Sequence, residues 1–415
     1  MSLAWAAYRT LAPVLGAIAP ATAIFASPQE RPFWRERLGA VALPGGCHAW
    51  VHASSLGETG AVAPLLRELS ARQPGARFWL TATTRTGRER LSALTWPSSL
   101  APIDSPQAVR RFFRGVQPQR LMLIETELWP HWLLRARAER VPVAIVSARL
   151  SERSVRRYQG LGRELKGLVG SLAVVLCQGE SDAERWREIG AAPERVSVVG
   201  NLKSDGLPEP VADRAIERAA LGLDPDRPLL VLGSLRPGEA GAIARAWMAL
   251  PAPLRARWQV VAVPRHPRAA SELRAEAAQA GVGVAQDVPR EGAWRWDDRM
   301  GILVGWYRAA EVAVVGGSLT PFGGHNPLEA AACGCAVVMG PHHTTQLDYV
   351  RSLRAADALA LTTAGAHLRE TLELLLGDDA AREAASAAGL AVARAQRGSA
   401  GRAVAQLAAA GLWPA

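Results

Sequence analysis

Three short stretches place acids and one amine where they can act on a substrate: "SSLGETG" (54–60), "ETELWP" (125–130) and "GNLKSD" (200–205). Each follows an apolar run that ends in turn residues, so its polar side chains are carried at the end of a rigid element. Glu58 lies where such a run gives way to a Gly-flanked turn and then a helix. A glutamate there is favoured by the helix N-terminal dipole, and the same place suits a general base. Position alone leaves both readings standing. Lys203 stands out by composition, because only two of the 48 basic residues are lysine, Lys166 and Lys203, and only two asparagines occur, Asn201 and Asn326. Lys203 reads either as a surface lysine after a strand or, where arginine is the default, as a compact charge chosen to face an oxyanion that a planar guanidinium would not fit.

The second half has its own polar turns, "GSLRPGEA" (233–240), "PRHP" (264–267) and "GGSLTPFGGHNPLE" (316–329). The "HNPLEAAACG" segment reads as a helix start, with Asn326 capping, Pro327 in the first helical position and Glu329 completing a capping box. The glycines before it leave backbone amides bare, which favours a phosphate. No residues have metal-ligand spacing; His342 and His343 read as a loop pair, and no Ser-His-Asp arrangement can be placed. Cys47, Cys177, Cys333 and Cys335 fit neither a zinc site nor a disulfide framework and read as small buried thiols of a reducing compartment.

These turns must be held by a framework, and the apolar runs supply one. Runs at 48–54, 77–84, 120–128, 141–148, 172–179 and 195–201 alternate with helix-compatible stretches. After a proline-containing linker at 206–214 the rhythm resumes at 228–234, 258–266, 282–286, 311–318, 335–341 and 358–363, followed by an Ala-rich helical tail. Such alternation predicts parallel sheets covered by helices on both faces. At 415 residues the chain exceeds one ordinary core. The expected division is an N-terminal segment 1–45, a first domain 46–206 and a second domain 207–415, with ligands held at strand ends in the cleft between the domains. Residues 10–29 carry no charge but contain Pro13 and Pro20. With Trp5, Tyr8 and Phe25 nearby they read as an amphiphilic membrane anchor, a cleaved leader with Ala21 and Ala23 being the rival. A formal charge of +10 and a pI near 10.4 favour an acidic partner. No nucleic-acid-binding signature accompanies that charge, so an anionic membrane surface or a phosphorylated substrate is expected.

In this order, "WVHASSLGETGAV", "IETELWP", "SARLSERSVRRYQ", "VVGNLKSD", "PRHP" and "VVGGSLTPFGGHNPLEAAACG" closely resemble the 3-deoxy-D-manno-octulosonic acid (Kdo) transferases of lipopolysaccharide assembly. The resemblance implies an α/β protein of the GT-B fold, two Rossmann-like doubly wound domains facing across a cleft. It implies metal-independent, inverting transfer of Kdo from CMP-Kdo to a lipid A precursor (lipid IVA), with no cofactor, at the cytoplasmic side of the cell inner membrane. Glu58 then corresponds to the catalytic base, and Glu127 and Lys203 to transition-state stabilisers. Arg265, His266, Met300, Gly301, Asn326, Pro327, Leu328 and Glu329 correspond to the CMP-Kdo side. The chain departs from the family pattern at Leu235, Arg236 and Ala240, at Ile302, and in "HTTQLDY" after "GPH". Those departures keep open a GT-B glycosyltransferase with another nucleotide sugar. A non-catalytic basic Rossmann-like protein is the reading from a different class, and it requires Glu58 to be dispensable.

Overall fold

A computed structural model describes residues 3–25, 27–289 and 292–415 of the chain, without the side chains of residues 3, 4, 15 and 20–25, so the readings of Ala21, Ala23 and Phe25 lie outside it. Two compact units emerge, residues 1–206 with 396–415, and residues 207–395.

In the first unit seven strands form a parallel sheet: β1 (Ala49–His52), β2 (Phe78–Ala82), β3 (Ser98–Leu100), β4 (Leu121–Ile124), β5 (Val143–Ala148), β6 (Val174–Cys177) and β7 (Val196–Val198). Their order is β3-β2-β1-β4-β5-β6-β7, with Trp50 paired to Trp79 on one side and to Leu121 on the other. Helices cover both faces, which is why strands such as "FWLTA" and "LMLI" are buried at every position. The second unit repeats the plan with β8 (Leu229–Leu235), β9 (Gln259–Pro264), β10 (Gly283–Ala285), β11 (Ala293–Trp296), β12 (Val312–Val315), β13 (Ala336–Met339) and β14 (Leu359–Leu361), ordered β10-β11-β9-β8-β12-β13-β14. Chain order reverses between β1 and β4 in one sheet and between β8 and β12 in the other, the points at which doubly wound sheets open a crevice at their carboxyl ends.

The last twenty residues do not stay with the second unit, as the division at 207–415 expected. Helix Ser399–Ala409 lies on helix Val62–Arg72, and its stripe Ala400, Ala403, Val404 and Leu407 is buried in one apolar cluster with Leu65 and Leu69. Asp205 accepts hydrogen bonds from the amides of Ser399 (2.9 Å) and Ala400 (2.6 Å), satisfying two donors at the helix start. The Trp413 indole donates to the Leu69 carbonyl at 2.9 Å. A buried stripe and an acid placed to cap it decide where this helix belongs.

The N-terminal segment is also less separate than expected. Helix Leu3–Phe25 buries Trp5 and Ala12 on one face, and Trp5 joins the cluster that contains Val109, Phe112 and Trp132. Tyr8 stacks on His131 at 5.1 Å, and its hydroxyl donates to Asp104. Burial holds the Asp104 carboxyl above the usual range against its contacts with His131. On the opposite face Leu11, Val14 and Ile18 are exposed. Their spacing of three and four residues makes one helical stripe. No helix among the described residues is long and apolar enough to cross a membrane. All four cysteines are free and buried, and burial pushes the thiols of Cys47, Cys177 and Cys333 up to about 12.

Candidate active site

The carboxylates of the first unit gather at the reversal between β1 and β4. A single helical turn, Leu56–Thr59, follows β1, and the Glu58 side chain folds back over it. Its carboxylate accepts from the Ser54 amide (2.7 Å), the Ser54 hydroxyl (2.8 Å) and the Ser55 hydroxyl (3.1 Å). The helix-start role foreseen for this residue is therefore real, and it orients the carboxylate. Burial nevertheless raises the Glu58 carboxyl above its ordinary value, those hydrogen bonds oppose the rise, and the charges of Glu125 and Glu127 add to it. A lifted pKa brings a carboxylate closer to the strength a general base needs near neutrality.

Lys203 lies in the turn Leu202–Gly206, where the Asn201 side chain accepts from its amide at 3.0 Å. Its ammonium donates to Glu125 Oε1 at 2.5 Å. Sequence reasoning had matched Glu127 to this neighbourhood; the lysine's partner is Glu125, the first acid of "ETELWP". Glu125 takes a left-handed conformation (φ 61°), as does Ser147 (φ 55°) near the end of β5. Such backbone in a non-glycine residue is held only where surrounding structure over-determines it, commonly at functional sites. Glu127 instead accepts from the Trp129 indole at 2.6 Å, with His52 Nε2 at 3.9 Å from the same oxygen. Burial alone would raise the Glu127 carboxyl, but the contacts with His52, Ser54 and Trp129 hold it below the usual range. His52 ends β1 fully buried, its Nδ1 2.8 Å from the Thr81 hydroxyl, which also accepts from the Trp50 indole at 2.8 Å. With Nδ1 on the Thr81 hydroxyl, Nε2 is the ring nitrogen that faces Glu127. A buried histidine inside an apolar strand gave no sequence signal of its own.

In the second unit a cavity of about 390 Å³ opens at the ends of β8 and β9. Arg265, Met300, Gly301, Asn326 and Glu329 line it, as do Ser234, Tyr307, His325 and Gln346, which sequence reasoning did not single out. His266, Pro327 and Leu328 fall outside its lining, and Leu328 is a buried core residue. The helix expected after Pro327 is short, Leu328–Ala332. Asn326 accepts from the Leu328 amide at 3.0 Å and donates to Glu329 Oε1 at 3.4 Å, so Glu329 holds the capping side chain and not a backbone amide. Burial raises the Glu329 carboxyl, while Asn326 and Arg265 draw it down. Burial, then the charges of Arg265, Arg236 and His266, push the His325 imidazole down to about 4, which leaves it neutral at physiological pH.

A family profile described as "3-Deoxy-D-manno-octulosonic-acid transferase (kdotransferase)" matches residues 33–206. A 3-deoxy-D-manno-octulosonic acid transferase of Bordetella pertussis is 37% identical over 376 residues, 85% of each chain. The chain belongs to the Kdo transferase family. A Haemophilus influenzae Kdo transferase is 30% identical over 385 residues, 89% of this chain and 90% of that one. Among solved structures, the UDP-GlcNAc 2-epimerase of Neisseria meningitidis superposes with a TM-score of 0.58 at 12% identity, covering 84% of this chain and 97% of its own. At that identity the likeness establishes the GT-B fold alone.

Within this Kdo transferase family member the departures sort physically. Leu235 and Ala240 are fully buried, at the end of β8 and in helix Glu239–Met248, and Ile302 packs on the core of the second unit. In the loop after "GPH", Thr345 donates to the carbonyl of Gly323, and Gln346 reaches the cavity. Of the single-residue departures, only Arg236 is charged; it lies outside the cavity lining, and its charge helps to lower the His325 imidazole.

Proposed function

We propose that this transferase moves Kdo from CMP-Kdo to a lipid A precursor, inverting the anomeric centre and needing no metal. The observation that carries the reading is the cluster of Glu58, Glu125, Glu127 and Lys203 at the β1–β4 reversal in a chain of this family. In the step proposed, an acceptor hydroxyl oxygen bonds to the anomeric carbon while its proton passes to Glu58. The bond from that carbon to the phosphate oxygen breaks, and CMP departs. Glu125 and Lys203 form one unit, with the ammonium supplying positive charge where negative charge develops. Glu127 is kept ionised by its partners and contributes to lifting Glu58. For the nucleotide, the reading assigns Arg265 to the phosphate, Met300 and Gly301 to the cavity wall, and Asn326 with Glu329 to polar contacts. His266, Pro327 and Leu328 support that stretch from outside the lining.

Nucleotide choice separates this reading from a GT-B enzyme with another donor. CMP at 100 times its Kd is expected to raise the melting temperature, by a stabilisation of about 2.7 kcal/mol, with UDP giving no comparable shift and EDTA leaving activity unchanged. A shift with UDP and none with CMP would overturn the donor assignment.

The exposed stripe Leu11, Val14 and Ile18, together with the net charge, supports docking at the cytoplasmic face of an anionic inner membrane. Truncating residues 1–30 would also remove Trp5 and Tyr8 from the fold, so the clean test charges the stripe alone. Val14→Asp with Ile18→Asp is expected to lose co-sedimentation with vesicles containing anionic lipid while still transferring to detergent-dispersed acceptor. Unchanged co-sedimentation would contradict the assignment.

A further inference from the structure

Arg236 follows β8 directly, and three observations define its setting. Its guanidinium lies over the Phe322 ring at 4.2 Å, although Phe322 itself is largely exposed. No carboxylate among the described residues pairs with it, and its Nε is buried without a hydrogen-bond partner. Its backbone is tied to the glycine-rich loop after β12. The fully buried Glu239 accepts from the amide of Arg236 (2.8 Å) and from those of Gly317 (2.7 Å), Ser318 (2.9 Å) and Leu319 (2.9 Å). Four amide donors on one buried carboxylate fix the end of β8 and the loop as a single piece.

The same loop brings His325 close. Gly317 has φ +68°, and a Cβ there would stand 3.0 Å from His325 Nε2 and 3.6 Å from Arg236 Cγ. Arg236 and His325 therefore flank the bare backbone of Gly317, a position where a side chain would be both strained and crowded. His325 Nε2 is likewise buried without a partner. Arg265, which lines the cavity next to His325, also makes no ion pair among the described residues. This edge of the second unit thus presents two arginines that make no ion pair among the described residues, although Arg265 acts on the Glu329 carboxyl through its charge.

A CMP-activated sugar acid carries two anions, the phosphodiester and the sugar carboxylate. We infer that Arg236, stacked on Phe322 and set across Gly317 from His325, receives the sugar carboxylate, with Arg265 left for the phosphate. This rests on the donor reading proposed above and assigns one residue within it. Arginine suits the task because its planar fork meets a carboxylate through two parallel hydrogen bonds while its face stacks on an aromatic ring.

The test measures CMP binding by calorimetry, and KM and kcat with CMP-Kdo generated in situ, for the wild type, Arg236→Gln and Phe322→Ala. Arg236→Gln is expected to leave CMP affinity within about two-fold and to raise the KM for CMP-Kdo by roughly ten-fold, the loss of about 1.4 kcal/mol of charge-assisted binding. Phe322→Ala, at an exposed position, is expected to raise KM by a smaller factor with CMP affinity unchanged. A wild-type KM in Arg236→Gln, or CMP affinity falling by the same factor as CMP-Kdo affinity, overturns the assignment while the donor reading stands. A wild type that neither binds CMP nor uses CMP-Kdo overturns the donor reading and the assignment with it.

Discussion

Glu58→Gln lowers turnover by at least ~100-fold, the low end for loss of a general base, while CMP affinity stays near the wild-type value. Glutamine keeps the shape of the side chain and one oxygen for the donors from Ser54 and Ser55, but it cannot take a proton. The pH profile carries the second half of this prediction. The base works ionised, so wild-type turnover falls as pH drops through its pKa. Burial, with the charges of Glu125 and Glu127 in addition, places that limb above the ordinary carboxylate value of about 4.3. Glu58→Gln removes the limb and leaves a flat, low residual rate. Steady-state kinetics between acid and neutral pH check both parts. Near-normal turnover in the variant, or a defect confined to donor binding, would end the base assignment and revive a non-catalytic reading.

Lys203→Arg is expected to lose most activity even though the charge is retained. The ammonium sits 2.5 Å from a single carboxylate oxygen of Glu125, and its stem passes the Glu58 turn, with Cγ 3.8 Å from where a Cβ on Gly60 would lie. A guanidinium is wider, and its donors are fixed in one plane, so it cannot reproduce that contact in that space. Removing one well-placed electrostatic contact to a transition state typically costs ~2.7–4 kcal/mol, roughly a hundred-fold to a thousand-fold in kcat. Glu125→Gln breaks the same pair from the other side and is expected to fall in the same range. Because the two residues act as a unit, the double variant should lose much less than the product of the single losses. Wild-type turnover in Lys203→Arg would mean that the lysine is an accident of composition.

The framework was legible because parallel strands covered on both faces leave continuous apolar runs, and runs such as "VPVAIVSA" and "EVAVVGGS" stand out from their helical surroundings. Two strands escaped that criterion. Ser98–Leu100 is a short polar edge strand, and in Ala293–Trp296 an arginine separates two tryptophans, with only Trp294 fully buried. The place of the last helix was hidden because an Ala-rich amphipathic stripe does not say which sheet it will cover; the Asp205 cap does, and it is a contact between residues far apart in sequence. Position and rarity singled out Glu58 and Lys203, whose catalytic roles are those proposed above. That Lys203 pairs with Glu125 and not Glu127 was not visible, since two acids so close in a turn differ in where the backbone aims them, and Glu125 is left-handed. Arg236 stood out only as a departure from a family pattern, and the role proposed for it depends on Phe322, Gly317 and His325, which are distant in sequence.

The most direct test of transfer itself is to incubate the purified full chain with CMP-Kdo and a tetra-acylated lipid A precursor in detergent and to read the lipid by mass spectrometry. The wild type should yield precursor carrying one or more Kdo residues with stoichiometric release of CMP, and Glu58→Gln should yield almost none in the same time. Unmodified lipid from the active-site-intact protein, alongside transfer from a different nucleotide sugar, would contradict the account.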